Sequence, residues 1–397
     1  MADGPHFPTI RRSQLRVVAA LGAAQTLAWA SSYYLPAILA DPMAADLGVS
    51  RAVVFGAFSA SLLIAAVLGP AVGRAIDRRG GRGMLMWSNV VLVVGLVGLA
   101  AAPGPVVFVG AWAVVGIGMA MGLYDSAFAA LTALYGREAR GPITGITLIA
   151  GFASTVGWPL TALLNGAVGW RETCLVWAAV NLLVVLPLNR LALPVAALAA
   201  ESHATAAGSV GWKPYREMLL LAFVFSACWF VTGAMAAHLP RLLERAGATP
   251  LEAVAASALV GPAQVGARVA EFLVLRRLHP LMSARLAAAL HPVGAVALAL
   301  MGPGALSLFV ILYGAGNGLL TIARGTVPLA LFGPTGYGER TGLLGAPARA
   351  TQAIAPLAFG LLLDQLGLWA ILVSVGACLA ALGALLCLRA GPRPTAG

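Results

Sequence analysis

Apolar residues in this chain come in long runs, each about 20 to 30 positions, separated by short stretches of Arg, Asp, Gly and Pro. None of the runs alternates with period two over its length, so they read as helices rather than strands. Twelve are separable, at 15–40, 52–73, 83–102, 105–135, 142–166, 171–190, 218–240, 250–275, 282–301, 304–332, 341–363 and 368–388. Each is long enough for one crossing of a bilayer, which takes about 20 residues. Lipid offers no partner to backbone N–H and C=O groups, so a crossing segment must be helical. The longest polar connection, 191–217, carries Glu201-Ser202-His203, Gly208-Ser209 and Lys213-Pro214-Tyr215-Arg216. It divides the chain into a six-helix half at 1–190 and a second at 218–397.

The halves resemble one another. Tyr34-Leu35-Pro36 closes span one and His238-Leu239-Pro240 closes span seven. Gly69-Pro70-Ala71-Val72-Gly73-Arg74 in span two matches Gly261-Pro262-Ala263-Gln264-Val265-Gly266-Ala267-Arg268 in span eight. Gly116-Ile117-Gly118 with Leu134-Tyr135-Gly136 in span four matches Gly314-Ala315-Gly316 with Leu331-Phe332-Gly333 in span ten. Three matches in one order, six spans apart, indicate two parallel repeats. Such repeats are a transporter architecture, with the substrate site near the midplane between them.

Composition agrees. Of 397 residues, 60% are hydrophobic and 10% charged, against about 25% charged in soluble domains. Mean hydropathy is +0.91. A large soluble core and a disordered chain are excluded. The net charge of +11 does not indicate nucleic acid, because its distribution is topological. With the N-terminus placed in the cytoplasm, 18 Lys/Arg fall on cytoplasmic segments and four outside (Arg51, Arg171, Arg241, Arg245). This is the positive-inside bias, and it puts both termini in the cytoplasm. Cys174, Cys228, Cys378 and Cys387 form no Cys-x-x-Cys pair, so neither a disulfide framework nor a zinc site is expected. Arg11, Arg12 and Arg16 lead into span one without a cleavage site, so no cleaved signal peptide is expected. Gly116-x-Gly118-x-x-x-Gly122 lacks the strand and spacing of a nucleotide loop and reads as close helix packing. With no other enzymatic motif, neither a cofactor nor an enzyme is expected.

Gly73-Arg74-Ala75-Ile76-Asp77-Arg78-Arg79-Gly80-Gly81-Arg82 resembles the loop 2–3 signature of the major facilitator superfamily, G-x-x-x-D-R-x-G-R-R, with Gly81 in place of a basic residue. Gly169-Trp170-Arg171 before span six is similar to a further family pattern. The resemblance implies an all-α membrane protein of twelve transmembrane helices in two six-helix repeats. It implies a secondary transporter, active as a monomer in the plasma (inner) membrane, whose partners are the lipid bilayer, a small-molecule solute and protons. It makes Gly73, Asp77, Arg78, Gly80 and Arg82 a cytoplasmic gate. Trp112 stands four residues before Gly116, where many proton-driven drug antiporters carry Arg. The span-five antiporter pattern is also partial, with Gly151, Gly157-Trp158-Pro159 and Gly166. Drug antiport therefore loses weight. His238-Leu239-Pro240 with an Arg in span eight looks like the monocarboxylate and oxalate/formate branch, which implies small organic anions. Export of toxic compounds is the alternative, and a non-transporting membrane sensor the alternative from a different class.

Charge within a span costs at least ~2.5–3.5 kcal/mol at a helix centre and marks candidate function. Away from the span ends, Asp125, Arg268, Glu271, Arg324 and Arg349 are the five such residues. Asp125 lies eleven residues before Gly136 and Arg324 nine before Gly333, so the repeat makes them near-equivalents. They are expected to face each other across the cavity, where separation would let Asp125 take up a proton. Gln264, Arg268 and Glu271 share one face of span eight, as do Asn317, Thr321 and Arg324 in span ten. Arg268 and Glu271 form either part of the cavity or a local i,i+3 pair. His238 is a relay or substrate candidate. Gln25, Trp29, Ser32, Tyr34, Tyr124 and Trp158 are candidate cavity residues, with Thr147, Ser154 and Asn165 weaker ones.

Overall fold

The computed structural model describes residues 12–194 and 212–389, and every regular element in them is helical. The N-terminal half comprises α1 (Arg12–Ala30), α2 (Pro36–Leu47), α3 (Arg51–Arg79), α4 (Gly81–Ala100), α5 (Pro105–Gly122), α6 (Tyr124–Tyr135), α7 (Arg140–Ile149), α8 (Ala153–Val168), α9 (Trp170–Val180) and α10 (Leu186–Ala192). The C-terminal half comprises α11 (Trp212–Arg245), α12 (Pro250–Ser257), α13 (Val260–Leu273), α14 (Pro280–Met301), α15 (Leu306–Phe332), α16 (Tyr337–Leu366) and α17 (Ile371–Cys387). Most of the linker expected at 191–217 lies outside the described residues.

Among the described residues, eight helical stretches are long and apolar enough to cross a membrane. Three of them, Pro105–Val168, Pro280–Phe332 and Tyr337–Cys387, run to 64, 53 and 51 residues. Those lengths exceed a single crossing of about 20 residues. Prolines sit at the starts of α2, α5, α12 and α14, where the missing N–H breaks no helical bond. The outward faces are apolar, with Val67, Val106 and Leu300 largely exposed. Lipid accepts such a surface where water would not.

Buried apolar side chains form one cluster within α1–α10, joined from the other half by Leu329 and Tyr337, and two clusters within α11–α17. The halves meet mainly where α3 packs on α16, α7 on α13 and α15, and α6 on α16. The repeat shows locally. Gly136 (φ +55°) ends α6 and Gly333 (φ +74°) ends α15. Both take a backbone conformation that a Cβ disfavours.

The structure departs from continuous spans in the N-terminal half. Span one is broken by turns at residues 31–35, before Pro36. Span four is broken at Leu123, which is extended (φ −83°, ψ −171°). Their counterparts α11 and α15 continue unbroken, and α11 passes through Pro240. Span eight divides between α12 and α13, and one π turn at Asn181–Val185 separates α9 from α10.

Candidate functional site

The break at Leu123 sets the site. Two carbonyls freed near it find side-chain donors: Gln25 Nε2 donates to Gly122 O at 2.7 Å, and Ser126 Oγ to Ala120 O at 2.9 Å. A new helix, α6, starts mid-span, with Asp125 in its first turn. The positive end of the helix dipole favours a carboxylate there. Asp125 is 8% exposed. Its Oδ2 accepts hydrogen bonds from Nη2 of both Arg324 on α15 and Arg349 on α16. Its Oδ1 has no protein partner.

Each arginine is held a second time. The Arg324 guanidinium lies 4.6 Å from the centroid of the Trp229 ring, a cation–π contact. Arg349 Nη1 donates to Ala65 O of α3 at 2.9 Å. Gly345 lets the α16 backbone come close: a Cβ there would lie 3.0 Å from Arg324 Nη2 and 3.2 Å from Asp125 Oδ2. The cluster thus ties α3 and α6 of one half to α15 and α16 of the other. Trp29, Tyr33, Tyr124, Trp229 and Gln352 line the pocket around it. Gln352 Nε2 donates to Tyr33 OH at 2.7 Å, again between halves. The pocket encloses about 20 Å³, room for about one water molecule and no solute.

Two guanidiniums against one carboxylate leave one positive charge. Arg268 is a further buried cation, outside the lining of this pocket. It is 6% exposed, its Nη2 is 3.4 Å from Thr321 Oγ1, and its Nε and Nη1 have no protein partner. It packs against Gly151. Glu271 does not pair with it. That carboxylate is fully buried and takes Arg140 at 3.1 Å and Ser283 Oγ at 2.6 Å. Arg140 also donates to Leu278 O at 2.7 Å, so Glu271 belongs to a clasp between α7 and the end of α13 rather than to the central pocket.

A second clasp lies where α3 ends. Asp77 Oδ1 accepts from Gly338 N at 2.8 Å and Oδ2 from Glu339 N at 2.9 Å, capping the N-terminus of α16. Arg74 pairs with Glu339 at 3.1 Å. Glycines permit the approach: a Cβ on Gly338 would sit 2.5 Å from Gly73 O, and one on Gly342 2.5 Å from Gly69 O. Gly80 (φ +79°) turns the chain from α3 into α4. Arg78 is exposed, and Arg82 Nε is buried without a partner.

Other expected residues have local partners. His238 Nε2 bonds Pro356 O at 2.7 Å, joining α11 to α16 within one half, and does not line the pocket. Gln25 holds the break rather than the cavity. Tyr34 packs between Trp29 and the half-exposed Trp158. Asn317 accepts from Thr232 at 3.0 Å and faces a second pocket in the C-terminal half, and Gln264 packs through its backbone on Gly318. Ser32 Oγ donates to Ala28 O and Thr147 Oγ1 to Thr144 O, bonds within their own helical segments. Arg349, Arg140, Tyr33, Gln352 and Trp229 were not assigned partners from sequence. Only Arg349 carried a signal, as a charge within a span.

The comparisons with known proteins agree on one family. The sequence model of the Major Facilitator Superfamily matches residues 21–323. An uncharacterized 38 kDa protein in the 23S RNA operon of Thermoproteus tenax is 30% identical over 328 residues, which is 76% of this chain and 84% of that one. Among solved structures, the human organic anion transporter MFSD10 (TETRAN) is 18% identical with a TM-score of 0.71, covering 96% of this chain and 100% of that one. The proton:xylose symporter XylE is 16% identical, TM-score 0.72, over 94% of each chain. A bacterial homologue of the iron transporter ferroportin, in an outward-facing state, is 15% identical, TM-score 0.73, over 93% of this chain and 98% of that one. With the loop pattern at Gly73–Arg82, the helical fold and these matches in accord, the chain belongs to the Major Facilitator Superfamily of multi-pass membrane transporters.

Proposed function

We propose that this protein is a proton-coupled secondary transporter of small organic anions, operating by alternating access around Asp125, Arg324 and Arg349. One observation carries the reading: two arginines of the C-terminal half share one carboxylate oxygen of the N-terminal half, leaving the buried centre positive. Charge at this depth is costly. A surplus guanidinium is suited to a carboxylate through its planar fork of donors. Arg268, without an acidic partner, adds to the same bias.

Asp125 is the coupling carboxylate in this reading. It spans the moving interface, so rocking of the halves separates it from its cations and opens it to protonation. Asp77 and Arg140 hold the two clasps that close the end bearing the α3–α4 turn. That end is cytoplasmic by the arginine bias, with both termini on the same side. The described conformation is then sealed toward the cytoplasm, in a chain of twelve spans that works as a monomer.

The test is uptake by proteoliposomes of a panel of pyruvate, malonate, benzoate, a neutral sugar and a quaternary amine. Uptake or competition confined to the anions supports the reading. Transport of the sugar or the amine with no effect of anions contradicts it.

A further inference from the structure

Building on the anion reading above, we infer that the preferred substrate of this site is an aromatic carboxylate. Its ring lies against Trp29, Tyr33 and Tyr124 of the N-terminal half, and its carboxylate meets Arg324 and Arg349 of the C-terminal half. All five side chains line the central pocket. The two walls differ in kind. Trp29 lies 5.0 Å from Tyr33 and 4.9 Å from Tyr124 between ring centroids, with planes inclined at 62° and 46°. Tyr33 meets Tyr34 at 5.3 Å and Phe58 at 5.4 Å, both edge to face. These are separations and angles at which ring quadrupoles attract. The rings therefore hold one another in place, and a solute ring finds the wall already ordered.

The two breaks in the N-terminal half build this wall. Trp29 lies at the end of α1, Tyr33 stands in the turns at 31–35, and Tyr124 opens α6 after Leu123. The internal repeat does not require these rings. Aligning Tyr34-Leu35-Pro36 on His238-Leu239-Pro240 sets Gly233 opposite Trp29 and Ala237 opposite Tyr33. At Gly233 the unbroken α11 packs on α16 instead: a Cβ there would lie 2.9 Å from Gln352 O. The same position thus serves helix packing in one half and carries a ring in the other. The rings serve the solute rather than the shared fold.

The pocket has room for about one water molecule, so a solute enters when the halves part. Each ring pair of the wall lies within the N-terminal half, so the wall moves as one body and survives that motion. What breaks are bonds between halves: Gln352 to Tyr33 OH, and the two arginines to Asp125. Parting uncovers a ring face on one side and two guanidiniums on the other. A solute carrying both groups matches both, whereas an aliphatic acid satisfies the arginines and leaves the rings unmatched. Nε1 of Trp29 and of Trp229 is buried with no acceptor in the protein, and both residues line the pocket. A substrate oxygen supplies one. Aromatic rings also attract organic cations, but two arginines against one carboxylate leave this site positive and repel them.

Binding of radiolabelled benzoate, cyclohexanecarboxylate, pyruvate and tetraethylammonium to the purified full chain tests this. Cyclohexanecarboxylate keeps the charge and ring size of benzoate and lacks its planar π face. Benzoate should bind about two- to tenfold more tightly than cyclohexanecarboxylate, and pyruvate more weakly than either. Tyr33 is half-buried. Tyr33→Leu should narrow the ratio of benzoate to cyclohexanecarboxylate and leave pyruvate binding unchanged, and Tyr33→Phe should restore the ratio. Cyclohexanecarboxylate binding as tightly as benzoate, or pyruvate more tightly, overturns the inference and leaves the anion reading standing. Tyr33→Leu weakening all three anions alike overturns the ring role in the same way. Failure of all three anions to bind folded wild type, with or without binding of tetraethylammonium, overturns both. Should Tyr33→Leu not fold, the wild-type ratios decide.

Discussion

Asp125 and Arg349, 224 residues apart in sequence, are hydrogen-bonded at the centre of the molecule, between the first turn of a helix that begins mid-span and the middle of α16. Arg324 shares the same oxygen. Orphaning a buried charge costs about 3–5 kcal/mol. Asp125→Ala leaves two cations facing each other, whereas Arg349→Gln leaves a neutral pair. Asp125→Ala should therefore lower the unfolding temperature in detergent more than Arg349→Gln does. Equal losses would contradict the view that charge balance sets the stability of the cluster.

The approach of α3 to α16 depends on missing side chains. A Cβ at Gly342 would lie 2.5 Å from Gly69 O, and one at Gly73 would overlap Gly338 O. Gly73→Val should hold the halves apart at this end. Spin labels at Arg79 and Thr335, both exposed there, should report a longer distance in that variant than in wild type. An unchanged distance distribution contradicts a gate at this crossing.

The Asp77 cap should bias the same equilibrium by a smaller amount. Asn keeps a cap acceptor but loses the negative charge that the α16 N-terminus favours, about 0.3–1 kcal/mol, so Asp77→Asn should shift the balance toward the cytoplasm-open state by roughly two- to fivefold. Transport should fall with expression unchanged. Arg140→Ala removes the other clasp, and the double variant should shift the balance further than either alone. Normal transport in Asp77→Asn would remove the gate role.

Gln25 offers a contrast, because it supports the break without touching the charges. Gln25→Leu leaves the Gly122 carbonyl unsatisfied, at a cost of about 1–3 kcal/mol. Thermal stability should drop, while the pH dependence of the transport that remains keeps its wild-type form. A changed pH profile would instead place Gln25 in the coupling machinery.

Much of this was legible in the residues. The pairing of Asp125 with Arg324 follows from their matching distances to Gly136 and Gly333, because a repeat puts equivalent positions at equivalent depth. Asp77 was legible through its loop pattern. Arg349 was visible as a costly charge, but one-dimensional spacing does not say which face of α16 looks inward. Glu271 was misplaced for a related reason. Its i,i+3 neighbour Arg268 is obvious in sequence, while its actual partner Arg140 lies 131 residues away in the other half. The breaks at residues 31–35 and at Leu123 were hidden because an apolar run in lipid is read as continuous helix. Pro36 and Gly122 were the only local signs, and Pro240 shows that the same Leu-Pro step can pass through an unbroken helix.

The role of Asp125 in coupling is tested most directly by concentrative anion uptake under an imposed pH gradient, in proteoliposomes of wild type and Asp125→Asn. Wild type should accumulate the anion under one sign of the gradient, and Asp125→Asn should equilibrate it across the membrane without accumulation at any gradient. Accumulation by Asp125→Asn with the full pH dependence of wild type would contradict the coupling role of Asp125.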